Sequence, residues 1–183
     1  IVTIVVFVVL AVGVLFGVRA IIDAAPAPSA ASTASPTATS DVGFVYTSDE
    51  FGYRIRFPEE PTEQSRTVPS DDGEIETTSA VWDNGVRSLV STGATYPAGA
   101  PTDVTGSLKS SLDGLVASTP DAQLLSSDPI TLAGLTAVSA TISVPSGTLI
   151  VVIAIDGDTQ YQLVSANLDP DTAEGFFATF ELT

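Results

Sequence analysis

The side chains that carry most enzyme chemistry are missing from this chain. There is no His and no Cys among its 183 residues. Their absence removes His-based triads, thiolate nucleophiles, the common zinc sites and the imidazole pH switch. What is left is 22 carboxylates, six cations and a supply of hydroxyls, with a formal net charge of −16. Lys109 is the only lysine, and Ser107, Ser110 and Ser111 lie beside it. A nucleophile of the S-x-x-K type fails because residue 106 is Gly, and residues one or two apart on a helix do not face each other. Lys109 is therefore expected to be a solvated helix residue. Asp156 and Asp158 flank Gly157, and Asp71 and Asp72 precede Gly73. Both groups read as turns, since the regular oxygen series of a Ca²⁺ loop is absent. Glu59 and Glu60 could supply one carboxylate of a glycosidase pair, but no sequence feature specifies the opposing acid or a cleft. No Gly-rich phosphate loop, G-x-S-x-G elbow or H-E-x-x-H motif occurs. No catalytic residue, cofactor or metal is expected.

Recognition chemistry has more to work with. Arg54 and Arg56 alternate with Tyr53, Ile55 and Phe57, so a strand here puts both guanidinium groups on one face. Pairing with local acids is the first expectation for them, and holding an acidic ligand or wall polymer the second. Trp82 and Tyr96 are expected to pack in the core or at an edge, with an aromatic binding platform as the alternative. Arg54, Arg56, Trp82 and Tyr96 are thus the candidate partner or ligand surface. The acidic excess discourages nucleic acid and anionic lipid as partners. It serves solubility first, and a weak Ca²⁺-binding surface is the sharper alternative.

Three regions must position these residues. Residues 1–20 are expected to form a transmembrane helix. Ile1 to Val18 contain no charge, and a helix of that length rises roughly 27 Å, close to the thickness of a bilayer's hydrocarbon core. A cleaved signal peptide is the rival, but its apolar stretch runs only about 7–15 residues. Residues 21–41 read as a disordered linker, with nothing but Ala, Pro, Ser and Thr from 24 to 40. Residues 42–183 form the folded domain. A Pro-rich tether behind an anchor points to a domain outside the cytoplasm, held at the cell membrane by a single pass. The first residue is Ile and there is no Met, so the true start is expected upstream.

Within the domain, short alternating runs are separated by turn residues. Strands are expected over Phe44–Tyr46, Tyr53–Phe57, Gln64–Val68, Glu74–Trp82 and Arg87–Tyr96. Asp83-Asn84-Gly85 marks a hairpin. Residues 102–118 carry Val104, Leu108, Leu112, Leu115 and Val116 at helical spacing, with Thr102 or Asp103 as cap. A second β stretch follows: Leu124–Ser127, Ile130–Leu132, Thr136–Val144, Thr148–Ile155 and Gln160–Ala166. The run from Thr148 is apolar on both faces, which requires cover on both sides. Asp169 and Pro170 open a last helix whose stripe is Ala173, Phe176, Phe177 and Phe180. The order predicts an α+β domain, an antiparallel β-sheet with two packed helices.

The run Phe44-x-Tyr46, Phe51-Gly52-Tyr53-Arg54-Ile55-Arg56-Phe57-Pro58-x-x-Pro61 resembles the opening of the PsbP/Mog1-like superfamily. It is similar in particular to membrane-anchored actinobacterial proteins of that kind. The likeness continues through Thr95-Tyr96-Pro97, Leu132-Ala133-Gly134-Leu135 and Phe177-x-x-Phe180-x-Leu182, and covers roughly residues 43 to 183. It implies the fold and is nearly silent on activity. The superfamily includes a photosystem II accessory protein and a nuclear-transport factor that binds a small GTPase, and no residue here matches a functional site of either. The expectation is a non-catalytic interaction or ligand-binding module, accessory to envelope assembly or export, whose partner is an envelope protein or wall component. The alternatives are an envelope hydrolase using carboxylates or a Ser/Lys pair, and the ectodomain of a sensor with further sequence upstream.

Overall fold

The alternating runs form ten strands and the two periodic segments form two helices in the computed structural model, which describes residues 43–70, 73–97, 99 and 101–183. In chain order they are β1 (Phe44–Ser48), β2 (Tyr53–Phe57), β3 (Thr62–Ser70), β4 (Gly73–Asp83), β5 (Ser88–Thr95), α1 (Val104–Ser118), β6 (Gln123–Leu132), β7 (Leu135–Val144), β8 (Gly147–Asp156), β9 (Thr159–Ala166), α2 (Pro170–Phe177) and β10 (Glu181–Leu182). The span expected over residues 1–20 and the linker over 21–41 lie outside the described residues. No helix among the described residues is long and apolar enough to cross a membrane.

The α+β class is as expected, but the strands make two antiparallel sheets rather than one. Seven strands run in the order β3-β4-β5-β9-β8-β7-β6, and a small sheet runs β1-β2-β10. Two meanders, β3-β4-β5 and β6-β7-β8-β9, meet where β5 pairs with β9, and α1 carries the chain from one to the other. Pro58 and Pro61 stop β2 before it can continue into the first meander. The β1–β2 hairpin therefore folds over a face of the large sheet. The two residues of β10 then pair with it, Glu181 opposite Arg54 and Leu182 opposite Tyr53.

Leu124–Ser127 and Ile130–Leu132, expected as separate strands, are one edge strand. Pro129 sits within it opposite Val138, and the register shifts between Leu124 and Ser126. Proline removes a ladder donor, which an edge tolerates and an interior strand does not. Pro69 occupies the corresponding edge position in β3, at the other side of the sheet.

Each face of the large sheet has its own core. On one, α1 buries Leu108, Leu112 and Leu115 against a row of small branched residues, Val81, Val90, Val164 and Val151, aligned strand to strand. Asp103 caps α1 by accepting from the Gly106 N–H at 2.9 Å. On the other face, α2 and the small sheet lie side by side over Leu163, Val152 and Tyr161. β8 divides its apolar residues between the two, with Val151 and Ile153 under α1 and Val152 and Ala154 under the second layer. Aromatic rings fill that layer: Tyr53 stacks on Phe180 at 5.3 Å and meets Tyr161 edge-on at 5.6 Å. The Tyr53 hydroxyl shares a hydrogen bond with Ser91 at 3.1 Å, and burial holds its pKa well above the ordinary tyrosine value. Phe180, expected on the helix stripe, joins this cluster from just beyond the end of α2.

Candidate functional site

The placement of α2 creates the clefts. Asp169 caps the helix: its two carboxylate oxygens accept from the Thr172 N–H at 2.9 Å and the Thr172 hydroxyl at 2.8 Å. Ala173, Phe176 and Phe177 point into the core. The helix is too narrow to cover all the sheet left open beside the small sheet, so a depression remains along each flank. The cap also titrates. The bonds from Thr172, and in lesser part the charge of Arg87, hold the Asp169 carboxyl below its usual value. Its contribution to stability is therefore complete above the unfolded carboxylate's pKa of about 4 and is lost as pH falls through the lower folded value. Unfolding measured between pH 5 and pH 2 should show Asp169→Asn losing less stability than the parent over that range. Asn still caps a helix but has no proton to gain.

The larger depression, about 800 Å³, lies between α2 and strands β6 to β8. Ile150 and Val152 form its floor, Ile130 and Leu132 one wall, and Phe177, Phe180 and Leu168 the other. Hydroxyls of Thr131, Ser139, Thr141 and Thr148 and the Glu174 carboxylate are the polar side-chain groups around it. Among the described residues no basic side chain lines it.

The second depression, about 390 Å³, lies between α2 and the small sheet and touches the first only at Leu168. Arg56, Arg87 and Trp82 line it, together with Leu89, Phe176 and Gly175. Here the strand alternation matters. Trp82 and Leu89 face each other across β4 and β5, on the side of the sheet that α2 occupies.

Of the four residues singled out from the sequence, the structure brings Arg56 and Trp82 together and separates the others. Arg54 pairs with Glu181 of β10, its Nε donating at 2.6 Å. Both partners are well exposed, so the pair contributes little, about 0–1 kcal/mol. Tyr96 lies on the opposite face of the large sheet from Trp82, packed beside the α1 core. Its hydroxyl donates to Gln160 Oε1 at 2.5 Å, and Ser111 donates to the same oxygen at 2.8 Å. Arg87, which joins Arg56 and Trp82, was not among the four. It sits at the end of the Asp83-Asn84-Gly85 turn, and only the packing of the small sheet reveals which residue of another element that turn approaches.

The groups considered for catalysis do not converge. Lys109 stands on the outer side of α1, donating to Asp113 one turn on at 2.5 Å. Ser107 and Ser111 are buried beneath the helix, while Ser110 bonds back to the Gly106 carbonyl. Glu59 and Glu60 are exposed after β2, and Asp156, at the end of β8, and Asp158, in the β8–β9 turn, are exposed too. No group of three or more Asp or Glu among the described residues is arranged to hold a metal ion.

This is a three-layer α+β domain with open clefts between helix and sheet. No protein-family model matches the chain, and no curated protein matches it in sequence. Among solved structures it is similar to the cyanobacterial PsbP protein (CyanoP) of Synechocystis sp. PCC 6803, at 13% identity and a TM-score of 0.49, over 82% of this chain and 98% of that one. It is also similar to PA94, a protein of unknown function from Pseudomonas aeruginosa, at 12% identity and a TM-score of 0.34, over 73% and 89% of the two chains. What either protein does is not carried to this chain by likeness at these levels.

Proposed function

We propose that this chain is a non-catalytic binding module of the PsbP/Mog1-like kind, held at the outer side of a cell membrane, whose partner inserts an uncharged apolar group into the cleft between α2 and β6 to β8. The observation that carries the reading is that cleft: about 800 Å³ with an apolar floor of Ile150 and Val152. A depression of this size with a few polar groups at its rim suits an aliphatic or aromatic group of a ligand or envelope protein. The absence of converging nucleophile, acid or base around it favours binding over turnover. The anchoring rests on the apolar run Ile1 to Val18 and the Ala/Pro/Ser/Thr stretch behind it.

The test is site-specific photocrosslinking in intact cells that carry the full chain. A photoreactive residue at Ala178, in the cleft, should give a discrete adduct with an envelope component. The same residue at Glu76, exposed on β4 away from the cleft, should not. Protease added outside the cells should digest the domain. Identical adducts at both positions, or none at Ala178, would sink the assignment of the cleft, and resistance to external protease would sink the topology.

A further inference from the structure

The larger cleft joins an apolar floor to a rim of one charge. Glu174 of α2 lines one side of it, and Asp171 stands one turn earlier on the same helix. The opposite side is the edge strand β6, whose Ile130 lines the cleft. Asp128, two residues before Ile130, shares its face and lies opposite Ser139, another lining residue. All three carboxylates are exposed, and none has an ion pair among the described residues. No basic side chain among the described residues lines the cleft. The chain as a whole adds to this bias, with its formal net charge of −16.

The interior of the cleft narrows the kind of occupant. Hydroxyls of Thr131, Ser139, Thr141 and Thr148 stand around Ile150 and Val152. The row of the sheet through Ile150 continues to Ser165 on β9. Cross-strand neighbours of this kind stand about 5 Å apart. Ser165 is 1% exposed, and its hydroxyl has no hydrogen-bond partner among the described residues. An occupant seated on Ile150 therefore lies beside an unpaired polar group. An alkyl chain offers nothing to that hydroxyl or to the four in the walls. A peptide brings a carbonyl with every residue and an N–H with nearly every one.

We infer that the cleft takes a segment of a partner protein in which apolar side chains are flanked by lysine or arginine. The inference rests on the reading of this cleft as a binding site and adds the chemistry of its occupant. The apolar side chains cover Ile150 and Val152. The flanking cations meet Glu174 on one side and Asp128 on the other. Exposed charge pairs give little affinity each, but they speed the encounter and reject acidic segments. The acidic excess of the chain works in the same direction at longer range.

The full chain in nanodiscs of phosphatidylcholine, which carries no net charge, is titrated calorimetrically with acetyl-Gly-Lys-Leu-Phe-Lys-Gly-amide, with empty nanodiscs as blank. Saturable binding is expected. Glutamate in place of both lysines should weaken it at least tenfold through like-charge repulsion. Serine in place of leucine and phenylalanine should weaken it at least tenfold through lost apolar burial. Asp128→Asn combined with Glu174→Gln should weaken the lysine peptide about tenfold. It should also remove most of the loss of affinity between about 50 and about 500 mM salt. Glu76→Gln combined with Asp113→Asn makes the same change of net charge away from the cleft and should alter nothing. Ala178→Trp, at an exposed position in the cleft, should block binding without lowering the thermal midpoint. Equal affinity for the lysine and glutamate peptides, equal loss in both double variants, or no saturable binding overturns the inference. So does an adduct of lipid mass at Ala178 in the crosslinking experiment, which would leave the cleft a binding site for a different occupant. Absence of any adduct at Ala178 would instead remove the reading of the cleft itself, so the two failures are distinguishable.

Discussion

Gly93→Val is expected to cost the domain about 3 kcal/mol, the upper part of the range for overpacking a tight core, and to lower its thermal midpoint by roughly 10 °C. The direction runs against strand propensity, since valine suits a strand better than glycine does. The reason is Phe51. Gly93 lies on β5 between Thr78 and Tyr161, and a Cβ there would fall 2.6 Å from Phe51 Cδ2 and 2.8 Å from its Cβ. Phe51 cannot swing away without cost. It is 5% exposed, and its carbonyl accepts the Tyr161 hydroxyl at 2.9 Å. Its ring docks the β1–β2 hairpin on the large sheet through the hole that Gly93 leaves. Denaturant unfolding of Gly93→Val, Phe51→Ala and the double variant forms a cycle. Coupling of 1 kcal/mol or more in that cycle is the expected result. Wild-type stability in Gly93→Val would show that the hairpin docks in some other way.

Tyr53→Ala is expected to cost about 4 kcal/mol, as large aromatic truncations in cores do. Tyr53→Phe should cost about 1 kcal/mol, the net value of one hydrogen bond. Tyr53 is 1% exposed and joins all the parts of its layer. Its ring meets Tyr46 of β1, Tyr161 of β9 and Phe180 beyond α2, at 6.1, 5.6 and 5.3 Å. Its hydroxyl reaches Ser91 of β5. Truncation would leave a void where both sheets and the C-terminal segment meet, and would orphan a buried serine. Equilibrium unfolding of the two variants measures the difference between them. Equal losses would mean that the hydroxyl, rather than the ring, holds the layer together.

Both predictions depend on contacts between residues far apart in the chain, which marks how far the sequence could be read. The local pattern was legible. Tyr53, Ile55 and Phe57 alternate with Arg54 and Arg56, and the odd residues are buried. Leu108, Leu112 and Leu115 recur at helical spacing and face the sheet. Asp169 followed by Pro170 starts α2. The second sheet was not legible, because nothing local to β2 says whether its buried face meets β3 or lies across the sheet. Nor was the continuity of β6, since a proline signals a break unless the strand is known to be an edge.

The candidate sites divide in the same way. Arg54 and Arg56 share a strand face, but their ends were decided by other elements: Glu181 of β10 takes Arg54, and Trp82 and Arg87 share a pocket with Arg56. Trp82 and Tyr96 look equivalent as aromatic residues near strand ends. Sheet register sends them to opposite faces.

By itself the amino-acid sequence determined the residue types available and the short-range periodicities. It rules out His and Cys chemistry, because an absent side chain cannot be supplied by folding, and it sets the helices and most strands, because backbone hydrogen bonding and local burial act over a few residues. The tertiary structure alone decided where the clefts lie. They form where one short helix and one small sheet share a face too wide for them, a matter of shape between elements that no local pattern records.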